Sequence, residues 1–215
     1  MDRDLKQIEA ALLHDLNNLL QVMMGNLELL KRRGELVPEI VDAALKATRE
    51  AGQLTDRLVA VGRLQPHEPR VLDVNALLGE LSQMIEHSVG DAIRVETELA
   101  PDLQSAFADP RALQVALLEL SANAREAMPG GGRLRIRTAN AAPDLVLIEL
   151  IDTGGGMPTP FLSRTFEPLA TAEGGKIAGL GLHIVERCMR QAGGRLELAS
   201  EKSGTRVKLY LPAAK

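Results

Sequence analysis

Residues 10–21, AALLHDLNNLLQ, set a histidine, an aspartate and two asparagines into a stretch that otherwise reads as a leucine-rich helix. On a helix His14, Asn18, Gln21, Gly25 and Glu28 recur at intervals of three and four, so they share one face and form a polar stripe. Such a stripe is by itself only a solvated face. Its chemistry comes from a neighbour: an imidazole nitrogen is a competent nucleophile toward phosphorus once its proton is held elsewhere, and Asp15 supplies a carboxylate to orient the ring and take that proton. Asn18, one turn on, has an amide able to position a water for hydrolysis of a phosphorylated partner. A metal is not expected at His14, because the nearest candidate ligand, Asp15, points about 100° away around the helix.

The second half of the chain holds residues suited to a phosphate donor. In ALLELSANAREAM, Glu119 and Asn123 stand at i and i+4 and project from one helical face, where a carboxylate and an amide oxygen suit a hydrated Mg2+. IDTGGGMP follows an apolar strand and carries Asp152, Gly154 and Gly156; an acceptor-only carboxylate at a strand end takes the exocyclic amine of adenine, while glycines let the base approach the backbone. AGLGLHIVERC leads Gly179 and Gly181 into a helix, whose first N–H groups and dipole favour phosphate. Each glycine-rich piece alone is a common turn.

The elements that must position these residues follow from pattern. The chain has 215 residues, 45% of them hydrophobic, enough for one core or two small modules. A net charge of -4, with three Phe, one Tyr and no Trp, leaves neither a basic footprint nor stacking platforms, so nucleic acid is not expected as a partner. Cys188 is the only cysteine, which excludes an internal disulfide and a multi-cysteine metal site; it is read as a core residue in a reducing compartment. No apolar run reaches the roughly 18 residues of a membrane span and the polar start is no signal peptide, so a cytoplasmic chain without a membrane segment is expected.

Residues 2–64 show helical spacing in two seams. One is Leu13, Leu16, Leu20, Met23, Leu27 and Leu30; the other is Ile40, Ala44, Ala47, Ala51, Leu54, Leu58 and Val61. Gly34 and Pro38 mark the connection of a helical hairpin, and two helices that cannot cover their own apolar faces imply a homodimeric four-helix bundle. The two prolines of QPHEPR, residues 65–70, read as a linker. Beyond it, residues 71–215 alternate helix and strand: a helix over 74–87, strands in AIRVETEL, GRLRIRTAN and DLVLIELID, a helix capped by Asp109 with Pro110 at its first position, a helix over 182–192, and a closing hairpin over 194–212. The expected class is α+β, a helical hairpin followed by an α/β sandwich.

Taken in order, these stretches closely resemble a sensor histidine kinase core. HDLNNLLQ is similar to the phosphoacceptor box, ELSANAREAMPGGG to the N box, DTGGGM to the first glycine box, FEPLAT to the F box and GLGL to the second glycine box. The resemblance covers essentially the whole chain. It implies a dimerization and histidine phosphotransfer hairpin (1–64), a linker (65–70) and a catalytic ATP-binding domain (71–215) of the gyrase-like ATPase type. By that resemblance His14 is the phosphorylation site, Asn123 a Mg2+ ligand and Asp152 the adenine contact. The partners implied are a second copy of the chain and the receiver domain of a response regulator, with phosphatase activity as a further capacity.

Two departures qualify the match. Relatives carry asparagine where this chain has Glu119, which leaves two roles open: a base toward His14, or a replacement metal ligand. In the lid FEPLATAEGGKIAG, Glu173 and Ile177 stand about where relatives have a lysine and the first glycine, and Lys176 is the residue able to substitute for the missing charge. Since no sensor segment precedes the hairpin, input is expected from another protein or from a longer kinase of which this is a fragment. Two alternatives differ in what they need. A phosphotransfer protein with an inactive ATP domain would have lost Asn123, Asp152 or the glycines, whereas a gyrase-like ATPase or serine kinase regulator has no use for the hairpin carrying His14.

Overall fold

The computed structural model describes residues 2–33, 36–62, 67–141, 143–156, 180–201 and 203–215. The chain divides into two compact units, Met1–Gln65 and Pro66–Lys215.

The first unit is a helical hairpin. Helix α1 (Asp2–Arg33) and helix α2 (Pro38–Gly62) pack on each other. Leu12 and the small residues Ala44, Ala47 and Ala51 are buried, and alanines at that spacing let the helix backbones approach closely. The long α1 seam divides. Leu16, Met23 and Leu30 are half-buried, whereas Leu13, Leu20 and Leu27 are exposed by 50%, 43% and 56%, joined by Met24 at 61%. One hairpin therefore buries only part of the apolar surface that the spacing provides.

The second unit is a sheet covered by helices. Its elements are β1 (Arg70–Leu72), α3 (Val74–Val89), β2 (Ile93–Glu98), β3 (Ala106–Ala108), α4 (Pro110–Ala127), β4 (Gly132–Ala141), β5 (Leu145–Asp152), α5 (Leu180–Gln191), β6 (Arg195–Glu201) and β7 (Gly204–Pro212). Five strands form a sheet in the order β2-β4-β5-β7-β6, with β2 parallel to β4 and the other pairs antiparallel. The core lies on one face of this sheet. Leu134, Ile136, Val146, Ile148 and Leu209 alternate inward from β4, β5 and β7 and are buried with Leu81 and Ile85 of α3, Leu113 and Leu117 of α4, and Ile184 and Met189 of α5. The opposite face is charged, and the register lines up Glu98, Arg137, Glu149, Lys208 and Glu197 as one row of alternating sign across all five strands. Within it Arg137 Nε is 2.8 Å from Glu98, and the buried Glu149 carboxylate lies 3.3 Å from Arg137 and 3.6 Å from Arg206.

Residue Arg70, read from sequence as the end of the linker, opens β1. That strand pairs antiparallel with β3 in a separate two-stranded sheet. Asp109 fastens this part of the unit to α4. Its Oδ1 accepts from the N–H groups of Arg111 and Ala112 at the helix N-terminus, while its Oδ2 accepts from Glu68 at 2.8 Å and lies 3.5 Å from His67 Nδ1. The carboxylate is 3% exposed, so few of these bonds are exchangeable with water. Replacing Asp109→Ala is expected to lower the stability of the α/β unit by about 1 to 3 kcal/mol, the scale of a lost cap plus an unsatisfied buried donor. Urea unfolding of the variant should show a lower midpoint at an unchanged slope; an unchanged midpoint would remove Asp109 from this role.

Candidate functional site

His14 stands on α1 with its side chain 74% exposed. Both of its polar contacts fall on the same ring nitrogen: Asp15 Oδ1 is 3.4 Å from Nδ1, and Asn18 Nδ2 is 3.2 Å from Nδ1. The helix rise brings Asn18 alongside from one turn on, whereas Asp15 reaches the ring from the adjacent position. Nε2 takes part in neither contact. Asn18, Gln21, Gly25 and Glu28 are all exposed, and a Cβ built on Gly25 would meet no atom within 4 Å. Exposed Val22 and Leu29 lie on the same helix beside this stripe.

In the α/β unit the candidate nucleotide residues come from α4, the end of β5 and the start of α5. On β5 the inward alternation Val146, Ile148, Leu150 continues to Asp152, so its carboxylate falls on the helix-covered side and is 9% exposed. Its Oδ1 accepts from the N–H of Gly154 at 2.8 Å and from the N–H of Thr205 at 3.1 Å. These two donors hold one oxygen in place, and neither uses Oδ2. Gly154 has no room for a side chain: a Cβ there would lie 2.6 Å from the carbonyl oxygen of Ala127, at the C-terminal end of α4. The N–H of Gly155 donates to that same carbonyl at 3.3 Å, and Gly156 turns with a φ of +70°. The glycine turn is thus seated on the helix that carries Glu119 and Asn123.

Those two residues converge under the first turn of α5. A Cβ added to Gly181 would lie 2.8 Å from Glu119 Oε2 and 3.1 Å from Asn123 Oδ1. Glu119 is buried and Asn123 half-buried. The carboxylate of Glu119 and the amide of Asn123, a helical turn apart and facing the same backbone position, are a donor set that fits Mg2+, which prefers hard oxygen ligands. Among the described residues no group of three or more His, Cys, Asp or Glu could hold a metal. Gly179, Lys176, Glu173, Ile177 and the FEPLAT stretch lie outside the described residues.

The remaining singled-out residues take structural positions. Cys188 is buried on α5 and its thiol is pushed up to about 12 by that burial, against the opposing pull of the Arg187 cation; it stays a protonated core residue at neutral pH. His87 is exposed, His67 lies beside Asp109, and the buried His183 is 4.0 Å from Glu186. Thr205 was not singled out by the sequence pattern. It contributes a backbone N–H to Asp152, and the only cue is the Ser-Gly-Thr turn that opens β7.

Two family models match separate parts of the chain. Residues 4–67 match the family model of the His Kinase A (phospho-acceptor) domain, and residues 108–215 match that of the histidine kinase-, DNA gyrase B- and HSP90-like ATPase. The sensor kinase CckA of Brucella abortus (strain 2308) is 34% identical over 96% of this chain and 24% of its own length. The sensory histidine kinase/phosphatase NtrB of Rhodobacter capsulatus is 27% identical over 94% of this chain and 61% of its own length. The chain thus spans about a quarter of the first relative and three fifths of the second. Among solved structures, the Acinetobacter baumannii histidine kinase AdeS superposes with a TM-score of 0.69 at 17% identity, covering 94% of this chain and 98% of its own. The histidine kinase ThkA, crystallised in complex with the response regulator protein TrrA, superposes with a TM-score of 0.76 at 18% identity over 97% of this chain and 61% of its own. No described helix is long and apolar enough to cross a membrane. A phospho-acceptor unit followed by an ATPase unit of this kind places the chain in the histidine kinase family, to which it belongs.

Proposed function

We propose that this chain is the core of a protein histidine kinase, in which residues 1–64 form the dimerization and phosphotransfer domain and the ATP-binding domain runs to residue 215 from β1, with the linker ending before Arg70. The observation that carries the reading is the exposed His14, whose Nδ1 is engaged by its neighbours while Nε2 is left for an incoming phosphoryl group. In this mechanism Asp152 Oδ2 accepts the adenine amine, held in place by the two N–H groups on its partner oxygen. Gly154 and Gly156 bring the backbone to the base, and the α5 N-terminus with Gly179 and Gly181 receives the phosphates, with Lys176 as their counter-charge. Asn123 and Glu119 would hold Mg2+, which would neutralise charge on the phosphates. The convergence of Glu119 and Asn123 on one point favours a metal-ligand role for Glu119 over that of a base toward His14.

The phosphoryl group then passes from His14 to an aspartate of a response regulator receiver domain docked on the stripe Asn18, Gln21, Gly25 and Glu28, and Asn18 positions a water that hydrolyses the regulator's aspartyl phosphate to release inorganic phosphate. The exposed Leu13, Leu20, Met24 and Leu27 supply the apolar face of a homodimeric four-helix bundle. Use of ATP sets this reaction in the cytoplasm.

Incubation with radiolabelled ATP and Mg2+ tests the reading directly. The chain should label itself with a phosphoramidate, acid-labile and base-stable, and His14→Ala should abolish the label; label persisting in that variant would overturn the assignment. Asp152→Asn is expected to weaken nucleotide binding by about 1.5 to 3 kcal/mol, the scale of a charge-assisted hydrogen bond, measured by calorimetric titration. For docking, Gly25→Arg and Gln21→Lys should slow transfer to the receiver while sparing self-labelling. If transfer keeps its parental rate in both, the stripe is only a solvated surface.

A further inference from the structure

The two contacts on His14 make incompatible demands on one atom. A neutral imidazole carries one N–H and one in-plane lone pair. Asp15 presents a carboxylate oxygen, which only accepts, so its contact with Nδ1 requires the proton there and leaves the lone pair on Nε2. Asn18 presents its amide nitrogen Nδ2, which only donates, so its contact with the same Nδ1 requires the lone pair there and puts the proton on Nε2. One neutral ring satisfies one neighbour at a time. The distances, 3.2 Å to Asn18 and 3.4 Å to Asp15, set the two in competition.

We propose that Asn18 is a positioning residue that selects the tautomer of His14: it holds the unphosphorylated ring in the form protonated on Nε2, which cannot attack phosphorus, and Asp15 must win Nδ1 before the kinase step can proceed. The inference rests on the autokinase reading above and adds a second role for Asn18 within it. In the Asp15-bound tautomer the Nε2 lone pair forms the N–P bond. The bond from the γ-phosphorus to its bridging oxygen breaks, the electron pair leaving on ADP, and the Nδ1 proton passes to Asp15. The product is a neutral phosphoimidazole with its lone pair on Nδ1, and that lone pair is what Asn18 Nδ2–H is placed to meet. Asn18 therefore also guards the product. Loss of phosphate to water is eased when Nδ1 is protonated, because the breaking N–P bond then returns its electron pair to Nε2 of a neutral leaving imidazole, and a donor seated on Nδ1 opposes that protonation.

The consequence is a pair of changes that loss of fold would not produce. In Asn18→Ala, and in Asn18→Leu, which keeps the bulk, the initial rate of self-labelling should rise about two- to five-fold, the scale of one exposed hydrogen bond. The phosphohistidine formed should decay faster by a similar factor at pH 7 after nucleotide is removed. Nitrogen-15 NMR of the full chain labelled at histidine reads the cause without any turnover: the His14 ring should move from the Nε2–H toward the Nδ1–H form in both variants. An unchanged tautomer ratio, or slower labelling in both variants, would overturn the proposal. A shifted tautomer in a protein that never labels would support the selection by Asn18 and sink the kinase reading instead.

Discussion

A buried carboxylate needs its hydrogen-bond partners before it can serve a ligand, and the α/β unit is arranged around that requirement at Asp152. Its Oδ1 is satisfied by N–H groups from two separate segments, Gly154 in the glycine turn and Thr205 at the start of β7. Both segments must be in register for this to hold. The antiparallel pairing of β5 with β7 brings Thr205 beside the strand end, and the same pairing of β4 with β5 sets Asp152 opposite Leu134 on the core side. A slip of one residue in β5 would turn the carboxylate to the charged face, and one in β7 would carry the Thr205 N–H away from it.

Helix α4 collects the rest. Over 18 residues it presents the Asp109 cap at one end, the Glu119 and Asn123 pair in its middle and the Ala127 carbonyl at the other. A rigid helix thereby sets the distance between the proposed metal ligands and the glycine turn, with no flexible connection between them. The phospho-acceptor unit uses a helix differently. There the spacing of one and four residues converges on a single nitrogen, so the two contacts of His14 are set by local helical geometry.

Much of this was legible in the sequence because it is written in side-chain periodicity. Alternation in GRLRIRTAN and DLVLIELID marks β4 and β5, and Asp109-Pro110 marks the start of α4. The short strands β1 and β3 are not legible there, since three residues cannot display an alternation and each is defined by a partner more than 30 positions away. The α1 seam was legible as helix and not as a choice of partner: spacings of three and four place Leu13 and Leu16 near one another, and only packing separates the buried from the exposed members. Thr205 was hidden for a deeper reason, because any residue but proline offers a backbone N–H and the sequence does not advertise which one is used. Nor does a pattern of residue types say that Asp15 and Asn18 meet the same ring atom.

The charged face of the five-stranded sheet has a consequence for how its two edges meet other strands. The strands β2 and β6 form the two edges of the sheet, and each carries acidic and basic side chains in close succession: Arg94, Glu96 and Glu98 on one, Arg195, Glu197 and Glu201 on the other. An unprotected edge is a template for strand addition. Charged borders, with the signs already balanced by neighbours within each sheet, give an approaching strand neither an apolar strip nor a net field to settle on.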